Sequence, residues 1–597
     1  MPKLFWYNVE NYGNDITTWW KQKGLWESIT WKQYGDWSQD IANALLNAGV
    51  KPGDKVSILS QTRFEWVVVD LAIMSIGAVT APIYHSNTDE QVHYIADHSG
   101  SILIFAEDQE QLDKLLNIWG QLPNVIQIIV FDKYQPKDIP NVSSLSSFRD
   151  KGIQYGKDNP DELTDKIKQG KPEDLISFIY TSGTTGHPKA GMINNRNVLA
   201  VIKHLKPMYQ MTREDMSIAY LPLAHIAERD LGHFMKLYIG NITVFAESME
   251  DMPANLRQTG PTVMFGTPRV FEKFYARITT GIKDATLIQK TIYEWALKVG
   301  QLFSETKDEN KSISFILWIK HKMAHFFIFK KIHDIFGGKI RFMISGAAPI
   351  SPNIIRYFHW IGLDIYEVYG MTETTGVISA NQMGQIKIGS VGKIFPDTEV
   401  KIMEDGEICC RSPQNIQGYY QNEEATSKLL IIDDQGDEWL HTGDVGHIDE
   451  DGYLFITDRK KDLIITAGGK NVAPQNIENL LKTSPYVSQA MVYGDKKAYL
   501  TSLITMDEDE IAKFARDRKI LYQDLGDLTR KKEVIELIHH EISVLNRELA
   551  NYETIKKFHI LEEDFDQDKD ELTPTMKVRR KVVTERYKNI LENLYRL

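Results

Sequence analysis

The sequence predicts an α/β protein with one large and one smaller domain, and three observations carry that prediction. Between residues 30 and 480, β-rich runs alternate with helical stretches, the pattern of parallel sheets covered by helices. Around Val391 to Tyr453 the rhythm shortens to brief strands divided by turn residues, which marks a small β-rich subdomain. The 597 residues are too many for one compact core and suit a large domain with subdomains plus a smaller one.

In chain order, the first strands are Lys55-Val-Ser-Ile-Leu59, Ser101-Ile-Leu-Ile-Phe105 and Val125-Ile-Gln-Ile-Ile-Val-Phe131, short and rich in β-branched and aromatic residues. Trp66 to Tyr84 is apolar enough to suggest a membrane span, but Asp70, Ser75, Gly77, Thr80 and Pro82 divide it into a helix and a short strand of buried core. Further strands are expected at Leu175 to Ile179, Ile242-Thr-Val-Phe245 and Ile340-Arg-Phe-Met-Ile344. Residues 278 to 336 are strongly helical. There Ile316, Ile319, Met323, Phe326 and Phe327 follow the 3-4 spacing of one apolar face, with Lys320, Lys322, Lys330 and Lys331 nearby. Packing against the domain's own core is the expectation for this stripe; an interfacial helix that rests on a membrane is the alternative. In the β-rich part, Glu404-Asp-Gly406 and Glu450-Asp-Gly452 supply turns. The charged run Asp458-Arg-Lys-Lys-Asp462 reads as a linker between the strand Leu454 to Ile456 and the apolar Leu463-Ile-Ile465.

Composition is that of an ordinary soluble enzyme. A net charge of −12 and a pI near 5.8 give no general attraction to nucleic acid or anionic lipid, a local basic patch aside, and nucleic acid is not an expected partner. Cys409 and Cys410 are adjacent, so they are poorly placed to staple a fold, and without a nearby histidine cluster they make no zinc site. They are expected to be small apolar residues of a strand Glu407 to Arg411, in a reducing cytoplasm. Met1-Pro-Lys-Leu-Phe-Trp-Tyr-Asn8 turns polar before a secretory signal can form. The expected location is cytoplasmic, with a peripheral place on the inner face of a membrane as the alternative, and the expected state is a monomer or homodimer.

The most informative run is Tyr180-Thr-Ser-Gly-Thr-Thr-Gly-His-Pro-Lys189. A strand ending at Ile179 would deliver a loop whose Gly183 and Gly186 let backbone N–H groups turn inward. Thr181, Ser182, Thr184 and Thr185 offer hydroxyls, and Lys189 a positive charge. Polyphosphate needs such a surface. The run is not a Walker loop, since only Thr184 and Thr185 separate its glycines and its lysine comes late. Taken alone, it also fits an ordinary Ser/Thr/Gly surface loop.

The segment resembles the signature loop of the adenylate-forming superfamily, which includes acyl-CoA synthetases, adenylation domains of peptide synthetases and firefly-type luciferases. Tyr220-Leu-Pro-Leu-Ala-His225-Ile-Ala-Glu-Arg229, Ser345-Gly-Ala-Ala-Pro349, Tyr366-Glu-Val-Tyr-Gly-Met-Thr-Glu373, His441-Thr-Gly-Asp444 and Asp458-Arg-Lys-Lys-Asp462 are similar to that family's successive motifs, in the same order. The likeness runs from Trp31-Lys-Gln-Tyr34 to Lys577. Within the superfamily the chain is most similar to the long-chain fatty acyl-CoA synthetases, on Tyr220 to Arg229, Gly266-Thr-Pro-Arg-Val-Phe-Glu-Lys273, the helical stretch after it, and Gly418-Tyr-Tyr420. The resemblance implies two α/β layers and a distorted barrel in a large N-terminal domain, residues 1–460. It also implies a hinge at Lys461 and a small mobile C-terminal α/β lid, residues 461–597.

The implied reaction is ATP-dependent activation of a medium- to long-chain fatty acid to acyl-CoA through an acyl-adenylate, releasing AMP and pyrophosphate. ATP, Mg²⁺ and CoA are thereby expected. A carboxylate is a poor electrophile, because its leaving group would be oxide; a mixed anhydride with AMP removes that obstacle, and positioning and electrostatics then dominate catalysis. By resemblance, Thr181 to Lys189 hold the β- and γ-phosphates and Glu373 binds Mg²⁺, with Thr184 as a second ligand. Asp444 accepts hydrogen bonds from the ribose hydroxyls, and Arg459 reaches ribose or phosphate. Gly346, Ala347 and Ala348 leave room for adenine, with Tyr369 stacking beside them in the motif that continues through Gly370 and Thr372. His225 lies near the carboxylate end of the acyl tunnel, and Lys577 bridges carboxylate and α-phosphate. After rotation of the small domain, Gly468 and Gly469 of Thr466-Ala-Gly-Gly-Lys-Asn471 admit the pantetheine arm.

Plainer alternatives stand beside these roles: a turn aspartate for Asp444, an exposed ion pair for Arg459, one lysine of a basic tail for Lys577, a hairpin turn for residues 466–471. Ala190, Asn195 and Met576 depart from the family's usual glycine, histidine and glycine. Arg229 stands where some bacterial long-chain enzymes place an aromatic gate. Two other functions stay open, a fatty acyl-AMP ligase delivering to an acyl carrier protein and a non-catalytic nucleotide- or acyl-binding scaffold.

Overall fold

The structure, a computed structural model, describes the chain except residues 133–138, 140, 182–186, 310, 568, 574–575 and 597. Two largely parallel sheets dominate its N-terminal part. The first orders its seven strands Val142–Ser144, Gln127–Val130, Ser101–Ala106, Lys55–Leu59, Val79–Ile83, Leu175–Thr181 and Lys189–Asn194. All neighbours are parallel except the last two, which form an antiparallel pair with Thr181 opposite Lys189. The second runs parallel through Ile16–Gln22, Ile242–Phe245, Met216–Ala219, Val263–Gly266, Phe342–Ser345 and Ile365–Met371. Antiparallel strands flank it, Leu25–Thr30 on one side and Gly376–Ala380 with Lys393–Ile394 on the other.

Local chemistry accounts for the helices between these strands. Trp31–Asn47 starts at a capping box in which Thr30 and Gln33 satisfy each other's backbone N–H. Asp89–Ser99 starts in the same way at Thr88 and stops at Gly100, whose φ of 66° is left-handed. The suspected span resolves into the helix Phe64–Ser75, buried at every residue but Glu65, and the wholly buried strand Val79–Ile83. Among the described residues no helix is long and apolar enough to cross a membrane.

The β-rich subdomain is an antiparallel sheet of Glu399–Ile402, Glu407–Arg411, Leu430–Ile432, Glu438–Ile448 and Leu454–Arg459. Cys409 and Cys410 are fully buried in it, and burial pushes both thiols up to about 12. The charged run at 458–462 is only partly a connector, because Asp458 and Arg459 end the last strand. Asp458 accepts the N–H groups of Arg459 (2.6 Å) and Gln475 (3.2 Å), which gives a buried carboxylate its partners.

The smaller C-terminal domain is built on the sheet Val487–Tyr493, Leu500–Met506 and Ile555–Ile560, with the helices Pro474–Leu481, Glu508–Arg518 and Lys532–Leu545. Its apolar clusters are separate from those of the large domain. Polar contacts join the two: Asn479 Nδ2 donates to Pro349 O (2.9 Å), Arg269 to Ser488 Oγ (2.9 Å), and Lys482 pairs with Glu272 (3.3 Å). An interface without a shared core is one that a domain rotation can exchange at low cost.

One expectation fails. The stripe from Ile316 to Phe327 does not pack on the core: Ile316 is 66% exposed, Phe326 70% and Phe327 48%, and Ile319 and Met323 are exposed as well. The helix Phe315–Ala324 instead turns Leu317 and Ala324 inward, and a π-turn at His325–Phe329 then buries Phe329. Apolar spacing identifies a face but not what meets it, and this segment is apolar around much of its circumference.

Candidate active site

The site gathers at the carboxyl ends of parallel strands, where ligands bind in α/β sheets. Residues 182–188 follow Leu175–Thr181, Tyr220 to His225 follow Met216–Ala219, Gly346 to Ala348 follow Phe342–Ser345, and Thr372 with Glu373 follow Ile365–Met371. The positions need their small residues. A Cβ on Gly370 would meet Gly376 O at 1.7 Å, and one on Gly346 would meet Val368 Cγ2 at 2.9 Å. Ala347 takes a φ of 69°, and it and Ala348 are half-buried.

Asp444 is buried and its carboxylate faces two side chains. Tyr369 donates its hydroxyl to Asp444 Oδ2 at 2.7 Å, and Arg459 Nε lies 3.4 Å from Oδ1. The pairing is set by register, since Asp444 and Arg459 are direct partners across adjacent antiparallel strands. Burial, and then the Asp444 charge, hold the Tyr369 phenol far above its ordinary range, so it stays a donor. The Asp444 backbone N–H is fixed by Thr442 Oγ1 at 3.1 Å, and that hydroxyl in turn donates to Ile408 O at 2.7 Å.

Glu373, also buried, accepts the Tyr419 hydroxyl at 2.5 Å on Oε1, and its Oε2 accepts no hydrogen bond among the described residues. Lys189 Nζ lies 5.1 Å over the same Tyr419 ring, within cation–π range. Tyr419 is brought there by backbone pairing: Met192 N donates to Gly418 O (3.2 Å), and Tyr420 N to Ala190 O (2.9 Å). Lys189, Tyr419 and Glu373 therefore form one continuous wall. Ser182, Gly183, Thr184, Thr185 and Gly186 themselves lie outside the described residues; Thr181 is half-buried and its hydroxyl meets Lys189 O at 3.4 Å.

Lys577 reaches this cleft from the small domain. Burial, then the Arg459 charge, push its ammonium down to about 8 against the pull of Asp444. Its hairpin is tight, with Thr573 N donating to Lys577 O (2.8 Å), Lys577 N to Thr573 Oγ1 (3.1 Å), and a bridge between Leu572 and Val578. Met576 has a φ of 63°, a left-handed position that suits glycine and costs other residues about 1–2 kcal/mol. Arg580 ties the far end of the hairpin to buried Glu478 (2.7 Å) and to Val492 O (2.7 Å).

His225 caps the short turn Ile226–Glu228, its Nδ1 accepting the Ala227 N–H at 3.2 Å. Burial first, and the charge of Lys577 second, push the ring down to about 3. The imidazole is therefore neutral at working pH, and with Nδ1 occupied as acceptor its proton sits on Nε2.

Gly468 and Gly469 do not join the site. They lie exposed in the turn of a small antiparallel ribbon, Ile464–Ile465 with Asn471–Val472, and Gly469 has a φ of 73°. Arg229 is no gate: it is fully buried, 2.7 Å from Asp70 Oδ1, with Trp66 and Phe234 each 5.0 Å from its guanidinium. Tyr419, Thr442 and Arg580 were not picked out as site residues from the sequence. Gly418-Tyr-Tyr420 marks the Tyr419 position, but its partner Glu373 is too distant along the chain for any local pattern to reveal the bond.

Known proteins resemble this chain over nearly its whole length. Residues 5–420 match the family profile described as AMP-binding enzyme, and residues 461–597 match that of the AMP-binding enzyme C-terminal domain. The chain is 34% identical over 577 residues to the long-chain-fatty-acid–CoA ligase FadD15 of Mycobacterium bovis, covering 96% of this chain and 93% of that protein. It is 32% identical over 626 residues to the long-chain-fatty-acid–CoA ligase ACSBG2 of Xenopus laevis, covering 99% and 83%. In fold it is similar to the anthranilate CoA ligase AuaEII in complex with anthranoyl-AMP, at a TM-score of 0.74 and 20% identity over 99% of this chain and 98% of the other. ATP-bound MatB from Rhodopseudomonas palustris superposes with a TM-score of 0.65 at 20% identity, covering 99% of each chain.

Proposed function

This chain belongs to the AMP-binding enzyme family, and from that premise we propose that it activates a medium- to long-chain fatty acid with ATP and passes the acyl group to CoA. The observation that carries the reading is the convergence of Lys577, from the small domain, on Asp444 and His225 of the large one. The fatty acid as substrate class is supported by the relatives named as long-chain-fatty-acid–CoA ligases.

In the first half-reaction a carboxylate oxygen of the acid attacks the α-phosphorus of ATP. A new P–O bond forms, the bond to the β-phosphate oxygen breaks, and pyrophosphate departs with the electron pair. Asp444 holds the ribose hydroxyls, which suits a carboxylate whose orientation Tyr369 and Arg459 already fix. Lys189 and the hydroxyls of Thr181 to Thr185 grip the outgoing phosphates. Neutral His225 donates from Nε2 toward the acid, and Lys577, charged below about pH 8, bridges its carboxylate and the α-phosphate. Gly346 to Ala348 leave space for adenine.

Mg²⁺ fits the residues present. Glu373 offers a hard oxygen, Oε2, beside a phosphate-facing wall, and Thr184 is the proposed second ligand. When bound, the ion neutralises phosphate charge.

In the second half-reaction the CoA sulfur, having lost its proton, replaces AMP at the carbonyl carbon. The exposed Gly468–Gly469 turn is the proposed guide for the pantetheine arm. It reaches the cleft only if the domain 461–597 rotates against 1–460 about Lys461, which withdraws Lys577. The test is exchange of labelled pyrophosphate into ATP, driven by palmitate. Lys577→Ala should abolish exchange yet still form thioester from supplied palmitoyl-adenylate and CoA; equal loss of both steps would remove Lys577 from the first.

A further inference from the structure

The stripe that fails to pack on the core lies in an unusual stretch of chain. From Lys311 to His333 there is no Asp or Glu, while five lysines occur, in a protein whose net charge is −12. Phe315, Ile316, Trp318, Met323, Phe326 and Phe327 are all exposed on this segment. Soluble proteins rarely leave so many large apolar side chains contiguous and uncovered. Lys320, Lys322 and Lys331 are exposed and form no ion pair among the described residues, and Lys322 lies 5.7 Å over the Trp318 ring. Lys311 and Lys330 are balanced by Glu309 (2.5 Å) and Asp334 (3.0 Å). Aromatic rings therefore stand in solvent, flanked by unneutralised ammonium groups.

We infer that this face, residues 315–331, docks the protein on an anionic lipid surface, the rings entering the acyl boundary and the lysines meeting headgroup phosphates. The chemistry selects this occupant. Aromatic and aliphatic side chains on one face with lysines beside them are the make-up of an interfacial helix, and each lysine near an anionic surface adds to the attraction. The segment rests on the membrane and does not span it. A second copy of the chain fits poorly, because a two-fold contact would set the same lysines against one another. A π-turn at His325–Phe329, a rare interruption of helical register, leaves Phe326 and Phe327 adjacent and outward, their rings 5.2 Å apart. The inference does not require the ligase reading, although a surface that holds the enzyme where fatty acids partition would serve it.

The experiment is flotation of the full chain with vesicles of phosphatidylcholine alone and of phosphatidylcholine with an equal share of phosphatidylglycerol. Binding is expected to be at least tenfold greater with the anionic vesicles and to fall with added salt. Two variants are compared, Ile316→Ser with Phe326→Ser and Phe327→Ser, and Lys320→Gln with Lys322→Gln and Lys331→Gln. Each should lose at least tenfold of the binding while keeping the parent melting temperature, since all six side chains are exposed. Failure to float with either vesicle, or binding unchanged in both variants, would overturn the inference. So would sedimentation equilibrium showing a dimer that the serine variant dissociates, because a second copy would then cover the face. None of these readouts uses turnover, so they stand whether or not palmitate drives pyrophosphate exchange.

Discussion

The ammonium of Lys577 sets a pH limit on adenylation. Burial and the neighbouring Arg459 lower its pKa to about 8, from 10.5 for a free lysine. Only the charged form can bridge two anionic oxygens, so activity is retained below this pKa and lost as pH rises through it. The amine is roughly nine-tenths charged at pH 7 and about one-tenth at pH 9, a drop of roughly tenfold. His225, pushed down to about 3, stays neutral across this window and adds no second limb. The quantity to measure is kcat/KM for the acid in pyrophosphate exchange at subsaturating ATP from pH 6 to 10, because it then reports the free enzyme, before substrate anions pull the lysine's pKa up. The expected profile falls with a midpoint near pH 8. Lys577→Arg, whose guanidinium does not titrate there, should lower the plateau and flatten the fall. A midpoint above pH 10 in the parent, or the same limb in Lys577→Arg, would refute the assignment.

Other substitutions probe the scaffold around this chemistry. Tyr419→Phe removes the hydroxyl that donates to Glu373, a charge-assisted bond worth about 1.5–3 kcal/mol, and should raise the Mg²⁺ needed for half-maximal exchange by roughly tenfold. A Mg²⁺ titration superimposable on the parent's would detach Tyr419 from the metal site. Gly370→Ala would force a methyl group against Gly376 O and should cost about 1–3 kcal/mol or more, read as a clear fall in melting temperature. Arg229→Met leaves the buried Asp70 carboxylate without its guanidinium partner, with only the neutral His233 ring at 3.1 Å, and should destabilise by about 3–5 kcal/mol, seen as a lower urea midpoint. Partial recovery in Arg229→Met with Asp70→Asn would show that the loss comes from the stranded carboxylate.

Much of the architecture was legible because it depends on local pattern. Short β-branched runs such as Ser101–Ala106 and the apolar helix Phe64–Ser75 bury nearly all of their residues, so composition alone marks them. Motif order also pointed to Asp444 and Glu373, which sit buried in the cleft. What no local signal carries is the distance between motifs. Tyr419 meets Glu373 only because residues 418–420 pair beside Lys189–Asn194, and Arg229 meets Asp70 from 159 residues further along the chain. The helix at 315–324 misled for a related reason. Its exposed stripe and its buried Leu317 and Ala324 are equally apolar, so periodicity could not say which side turns inward.

The central claim is that this chain makes acyl-CoA through an acyl-adenylate. The most direct measurement is AMP release by the purified protein with ATP and Mg²⁺, across acids from acetate to oleate, with and without CoA. The account predicts CoA-dependent turnover that rises toward the long acids, with acyl-CoA and AMP formed in equal amounts. Adenylate that accumulates and that CoA cannot discharge would contradict CoA as the acceptor, and no AMP with any acid would contradict catalysis itself.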